Sequence, residues 1–190
     1  MQNITFTQAK TANDLHQILA LQSANLPQNI SKSELANEGF VTVQHSFELL
    51  KAMNTPYSHI IAKDGEEVIA YALVMLRDFA DRIPVLFSMF EMINQSIYND
   101  NLVHDSTYFA MGQVCIDKAY RGKGIFKKLY QTMQKYYSND FHYLITEIAA
   151  RNPRSLKAHA KVGFEDLKIF TDEKTGEVWH LVIWDWNRNI

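Results

Sequence analysis

Tyr120-Arg121-Gly122-Lys123-Gly124-Ile125 stands between an apolar run, Tyr108 to Ile116, and an amphipathic one with Ile125, Leu129, Met133 and Tyr136 on one face. The order reads as strand, tight glycine loop, helix. Glycines at 122 and 124 leave the loop backbone bare, so its N–H groups can approach an anion closely. The helix that begins there points its positive end at the same place. Lys123, Lys127 and Lys128 add full charges. A polyphosphate is the natural guest of such a loop. The nucleotide-hydrolase pattern G-x-x-x-x-G-K-[ST] is absent, because no Gly-Lys here is followed by Ser or Thr. The dinucleotide pattern G-x-G-x-x-G fails as well, with Lys127 in place of its third glycine.

Outward from the loop, the composition bounds the answer. A chain of 190 residues suits one domain with a sizeable core. Hydrophobic residues make up 47% and charged residues 21%, as in ordinary water-soluble domains, and the net charge of −2 gives no reason to expect nucleic acid. Cys115 is the only cysteine, which excludes an internal disulfide and fits a reducing compartment. No apolar run reaches membrane-spanning length, and Met1 to Lys10 lacks the pattern of a signal peptide. The expectation is a cytoplasmic protein with neither nucleic-acid nor membrane partner; a homodimer is left open. Histidines stand at 16, 45, 59, 104, 142, 159 and 180, none at a recognised metal-ligand spacing, so no metal is expected.

Local patterns give the elements. Ile4 to Gln8 alternates as a strand. Thr11-x-x-Asp14 starts a helix with Leu15, Ile18, Leu19 and Gln22 at helical spacing, and Ser31-x-x-Glu34 starts a second region reaching about Met53, broken near Gly39. Residues 59–63 and 68–76 flank Asp64-Gly65 as a hairpin. Residues from about 77 to 106 interrupt the pattern with an apolar, Met-rich segment at 84–97 that reads as core or as a lid. Tyr143 to Ala149 is a strand, 153–162 a short helix, and 167–170 with 178–186 a closing hairpin. The mix is α/β rather than a doubly wound repeat.

A second motif follows the loop by some thirty residues: Glu147-Ile-Ala-Ala-Arg-Asn152-Pro-Arg-Ser155-Leu-Lys-Ala-His159-Ala-Lys-Val-Gly163-Phe164. Asn152 is a good N-cap, Pro153 suits the first helical position, and Gly163 suits a left-handed C-terminal cap. Together, Arg121-Gly-Lys-Gly, a strand, and Asn-x-x-Ser-(x)7-Gly-Phe resemble the GNAT superfamily of acyl-coenzyme-A-dependent N-acetyltransferases. The resemblance is strong over residues 108–164 and elsewhere rests on element order.

The resemblance implies an α/β fold of α+β type, a mixed, mostly antiparallel twisted sheet of about seven strands with helices on both faces. It implies one acetyltransferase domain over residues 1–190, in which the insertion at about 77–106 covers the acceptor site. Acetyl-CoA is the implied co-substrate, and a small-molecule or peptide amine the implied acceptor in a ternary complex. By position, the loop amides hold the pyrophosphate, which maps to Arg121, Gly122, Lys123, Gly124, Ile125, Phe126 and Lys127. Phe126 departs from the small residue usual there. Val114, Cys115 and Ile116 map to the strand that bonds the pantetheine arm, and Asn152 and Ser155 to the cofactor contact at the helix start. Glu147 maps to a base found in members that acetylate protein N-termini. His159 stands where many members carry a tyrosine as the acid for the thiolate, and an imidazolium can also donate a proton. Cys115 reads as a small buried residue rather than a nucleophile. Arg151, Arg154, Lys157 and Lys161 read as a solvated face. A rival function is an acyl-coenzyme-A-binding sensor or interaction module without turnover.

Overall fold

A computed structural model of the chain describes residues 3–31, 41, 43–173 and 175–187. The strands of its main sheet follow the order β1-β2-β3-β6-β7-β9-β8, a mixed and mostly antiparallel arrangement as expected. Contacts gather into two compact units, Met1–Val74 with Met111–Lys135 and Met75–Ala110 with Tyr136–Ile190.

In the first unit, β1 (Ile4–Gln8) pairs antiparallel with β2 (Ile60–Asp64), and β2 with β3 (Glu67–Met75). Every residue of β3 after Glu67 is buried, which is why it reads as an unbroken apolar run. Helix α1 (Ala12–Ala24) starts where the sequence places it. Thr11 Oγ1 accepts the Asp14 amide at 3.1 Å, and Asp14 Oδ2 accepts the Thr11 amide at 3.0 Å. Its inner face carries Leu15, Ile18, Leu21 and Gln22. The expected start at Ser31 to Glu34 lies mostly outside the described residues; α2 (Phe47–Met53) is capped instead by Ser46. His59 is fully buried, its Nδ1 accepting the Val74 amide at 3.1 Å and its Nε2 donating to the Leu50 carbonyl at 3.1 Å.

The second unit opens with the segment that interrupts the sequence pattern. It contains 3₁₀ turns at Arg77–Arg82 and Pro84–Leu86, then α3 (Phe87–Gln95). Met89, Phe90 and Ile93 of α3 are buried, so this part of the Met-rich stretch is core, while Phe87 is 51% exposed. A small hairpin follows, β4 (Ile97–Tyr98) and β5 (Asn101–Leu102), turned through Asn99 and Asp100 at φ 49° and 62°.

The first three residues of β6 (Tyr108–Ile116) pair parallel with β7 (Tyr143–Ala149). Strand β9 (Val178–Asp185) pairs antiparallel with β7 and with β8 (Glu165–Thr171). Trp179, Trp184 and Trp186 lie on or just beyond β9. Trp184 and Trp186 pack edge to face at 5.7 Å, and Phe109 packs on Trp186 at 5.7 Å. Helix α4 (Ile125–Tyr137) buries Ile125, Leu129 and Met133 as expected; Tyr137, not Tyr136, is its last buried aromatic. Helix α5 (Pro153–Val162) ends at Gly163, whose φ is 127°. A Cβ there would stand 2.8 Å from Trp184 Nε1, so both conformation and space require glycine.

Candidate functional site

In the first unit the glycine loop is built around its backbone. The Asp117 amide bonds the Ile69 carbonyl at 2.8 Å, and Asp117 Oδ1 accepts the Ala119 amide at 2.8 Å, capping a 3₁₀ turn at Lys118–Tyr120. Gly122 and Gly124 then take φ of 76° and 78°, where side chains are strained. A Cβ at either would meet nothing within 4 Å, so space over the loop is open. The Lys128 amide bonds the Gly124 carbonyl at 3.2 Å as α4 begins. The amides of the first turn ahead of it have no intrahelical acceptor and form the positive end of the helix dipole. That is the geometry of an anion cradle.

Side chains brace this loop. Arg121 turns back, its Nε donating to the Ile116 carbonyl at 3.1 Å and its Nη2 to Asn25 Oδ1 at 2.7 Å. Tyr120 donates to Asp64 Oδ2 at 2.8 Å, and Lys123 Nζ sits 4.9 Å from the Tyr120 ring centre. Phe126, the departure from the small residue, lies tilted against Tyr130 one turn on, 5.0 Å between rings. Lys127 and Lys128 are exposed, and Ile125 is buried. On β6, Val114 and Ile116 are half-buried on either side of the buried Cys115. Cys115 is buried, and burial pushes its thiol up to about 12, which disfavours a reactive thiolate.

The second unit holds the other motif. Glu147 lies on β7 opposite Leu181. Its Oε2 is sealed from solvent and has no hydrogen-bond partner among the described residues. Burial, reinforced by the charge of Asp172, pushes this carboxyl up to about 8. Asp172 is held in the β8–β9 turn, its Oδ1 accepting the Thr175 amide at 2.8 Å and the Thr175 hydroxyl at 2.9 Å. Asn152 caps α5 as expected, Oδ1 accepting the Ser155 amide at 3.1 Å. Arg154, Lys157 and Lys161 are exposed, and Arg151 pairs with Glu177 at 2.7 Å, so the basic face is solvated.

His159 departs from expectation. Its side chain is only 2% exposed, and its Nδ1 donates to the Ser155 carbonyl at 2.8 Å, with the Ser155 hydroxyl at 3.2 Å. Its ring meets Phe164 edge to face at 5.1 Å. Burial pulls its pKa down to about 4. Burial favours the neutral ring, and the backbone engages the proton on Nδ1, so these surroundings do not favour the imidazolium acid expected from its position. His159 instead ties the helix to the strand that follows.

The motifs missed a buried polar cluster in the first unit, Gln22, His45, Tyr71 and Gln113. Its signal was present: Tyr71 and Gln113 interrupt otherwise apolar strands. Among the described residues no group of three or more His, Cys, Asp or Glu is arranged to hold a metal ion, and no helix is long and apolar enough to cross a membrane.

The sequence profile described as the acetyltransferase (GNAT) family matches residues 28–164. No curated protein matches the chain in sequence. Among solved structures, Arabidopsis thaliana NAA60 in complex with acetyl-CoA is similar with a TM-score of 0.67 at 15% identity, over 96% of this chain and 99% of that one. The ribosomal-protein-S18-alanine N-acetyltransferase of Escherichia coli is similar with a TM-score of 0.62 at 11% identity, over 98% and 96%. A chimera of the spermidine N-acetyltransferase SpeG from Vibrio cholerae gives 0.57 at 14% identity, over 99% and 100%. At these identities the likeness is one of fold.

Proposed function

Because the chain belongs to the acetyltransferase (GNAT) family, we propose that it moves an acetyl group from acetyl-CoA directly to a primary amine in a ternary complex. The observation that carries this reading is the loop: two glycines at positive φ, open space where side chains would stand, and a helix N-terminus behind them. A pyrophosphate suits that cradle, with Lys123, Lys127 and Lys128 adding charge around it. Acetyl-CoA supplies the activated acyl group as a thioester.

The chain's own residues then have three tasks. The acceptor ammonium must lose a proton, since only the neutral amine attacks. Glu147 suits this: a carboxylate whose pKa is raised to about 8 is a far stronger base than an ordinary one, and its Oε2 has no hydrogen-bond partner among the described residues to displace. The developing oxyanion needs donors, which backbone amides near Cys115 and Ile116 of β6 supply on this reading. The thiolate needs little help. A thiol of ordinary pKa, about 8.5, leaves tolerably near neutral pH, and so on this reading transfer does not depend on His159 as an acid.

The acceptor is an amine of a small molecule or a peptide; the similar structures include an enzyme named for a protein alanine and one named for spermidine. The neutral, buried His159 favours one second reading, an acyl-coenzyme-A-binding module without turnover. Thiol release from acetyl-CoA, followed over time with a panel of amines, separates the two. Amine-dependent release supports the enzyme; tight binding with no release supports the module.

A further inference from the structure

The buried cluster of the first unit fixes its own protons. The His45 amide, a donor only, lies 2.8 Å from Gln22 Oε1, which sets the orientation of the Gln22 amide. The Val43 carbonyl, an acceptor only, lies 2.9 Å from Gln113 Nε2, which sets that of Gln113. Gln113 Oε1 therefore accepts from Tyr71 at 2.5 Å and from Gln22 Nε2 at 2.7 Å. The second hydrogen of Gln22 Nε2 goes to His45 Nδ1 at 2.8 Å. Nδ1 is thus an acceptor, and the imidazole carries its proton on Nε2.

His45 is only 5% exposed, yet among the described residues nothing accepts that Nε2 proton. Gln22 and Tyr71 are fully buried and Gln113 nearly so. Burial also pulls the His45 pKa down to about 4, so the ring stays neutral. No ionised side chain takes part in the network, and a charged group brought against it would lose hydration without a counter-charge. An uncharged oxygen matches it. The network is rooted on Gln113, the residue before Val114, where the proposed cofactor strand begins.

We propose that His45, held as the Nε2–H tautomer by Gln22, Gln113 and Tyr71, is a specificity residue that donates a hydrogen bond to an uncharged carbonyl oxygen of the acceptor. The acceptor is then an amine that carries an amide, as the first residue of a peptide does, rather than a bare alkylamine or polyamine. This rests on the reading of the chain as an amine acetyltransferase.

The test compares a tripeptide amide with butylamine in wild type, His45→Phe and His45→Gln. The expected result is a loss of roughly tenfold in kcat/KM for the peptide in His45→Phe, carried by KM, with butylamine and acetyl-CoA unaffected. His45→Gln, which keeps a donor near the Nε2 position, recovers part of the loss. Equal losses on both amines, or no loss on either, overturn the proposal. Imidazole ¹⁵N spectra of the intact wild-type protein read the same contact without turnover. An Nε2–H tautomer whose signal shifts with the tripeptide but not with butylamine supports it even if no amine is acetylated, a result that would sink the enzymatic reading alone. The opposite tautomer, or no peptide-specific shift, overturns it.

Discussion

In the loop at 117–128 the groups offered to a ligand are backbone amides, open to solvent and aimed by glycine geometry. In the stretch from Glu147 to His159 the titratable groups are side chains, withdrawn from water and changed by it: a carboxyl pushed up to about 8 and an imidazole pulled down to about 4. Backbone sites are written in local sequence, because φ and helix starts are local properties. Side-chain sites are written in burial, which only the folded chain sets. Identical residue types at identical spacing would behave differently if the two stretches exchanged surroundings.

The largest expected effect comes from removing the raised carboxyl of Glu147. Glu147→Gln keeps the shape and should lower turnover by roughly 10²–10⁴ while leaving acetyl-CoA affinity little changed. The loss should shrink at high pH, where more amine is already neutral. Stability should move the other way. A folded pKa of about 8, above the unfolded value of about 4.5, contributes stability that is complete below pH 4.5 and lost as pH rises through 8. Thermal melts above pH 8 should therefore show the glutamine variant more stable than wild type. Wild-type rates with unchanged melts would leave Glu147 with no role in catalysis.

Next in size is the loop. Gly124→Val places a branched side chain at a φ of 78° and over the cradle. Coenzyme A affinity should fall at least tenfold, about 1.4 kcal/mol or more, by titration calorimetry. Unchanged affinity in a folded variant would break the comparison at its backbone end.

A smaller effect tests the electrostatics. Asp172→Asn removes the like charge that helps to raise Glu147, so the rising limb of the pH–kcat/KM profile should move to lower pH. A limb that stays in place would assign the whole shift to burial.

The smallest effect is expected at His159. His159→Phe should leave turnover within about threefold, far below the range for proton-transfer groups. It should cost about 1 kcal/mol of stability, read by chemical denaturation, through the lost Nδ1 hydrogen bond to the Ser155 carbonyl. A rate loss of tenfold or more would return His159 to the chemistry.

Elements with local signals were legible before folding. Thr11 with Asp14, Asn152 with Pro153, and Gly163 mark helix ends whose bonds the structure shows. Helix α3 had no such mark: Leu86 caps it without a side-chain bond, and packing of Met89, Phe90 and Ile93 holds it. At the site, the glycine loop was legible for the same local reason. The fate of His159 was not, because nothing in its neighbours by sequence says that Phe164 folds over it. The Gln22–His45 contact joins residues 23 apart, and Gln22–Gln113 residues 91 apart, distances no motif spans.

The placement of Trp179, Trp184 and Trp186 gives the chain a built-in optical label. All three of its tryptophans belong to the unit that contains β7 and β9. Intrinsic fluorescence excited at the indole band therefore reports that half and is blind to the half carrying the glycine loop, whereas far-ultraviolet circular dichroism sees helices and strands in both. Traces that coincide during denaturation describe one cooperative body, and traces that separate give the order in which the halves come apart, with no dye or engineered probe.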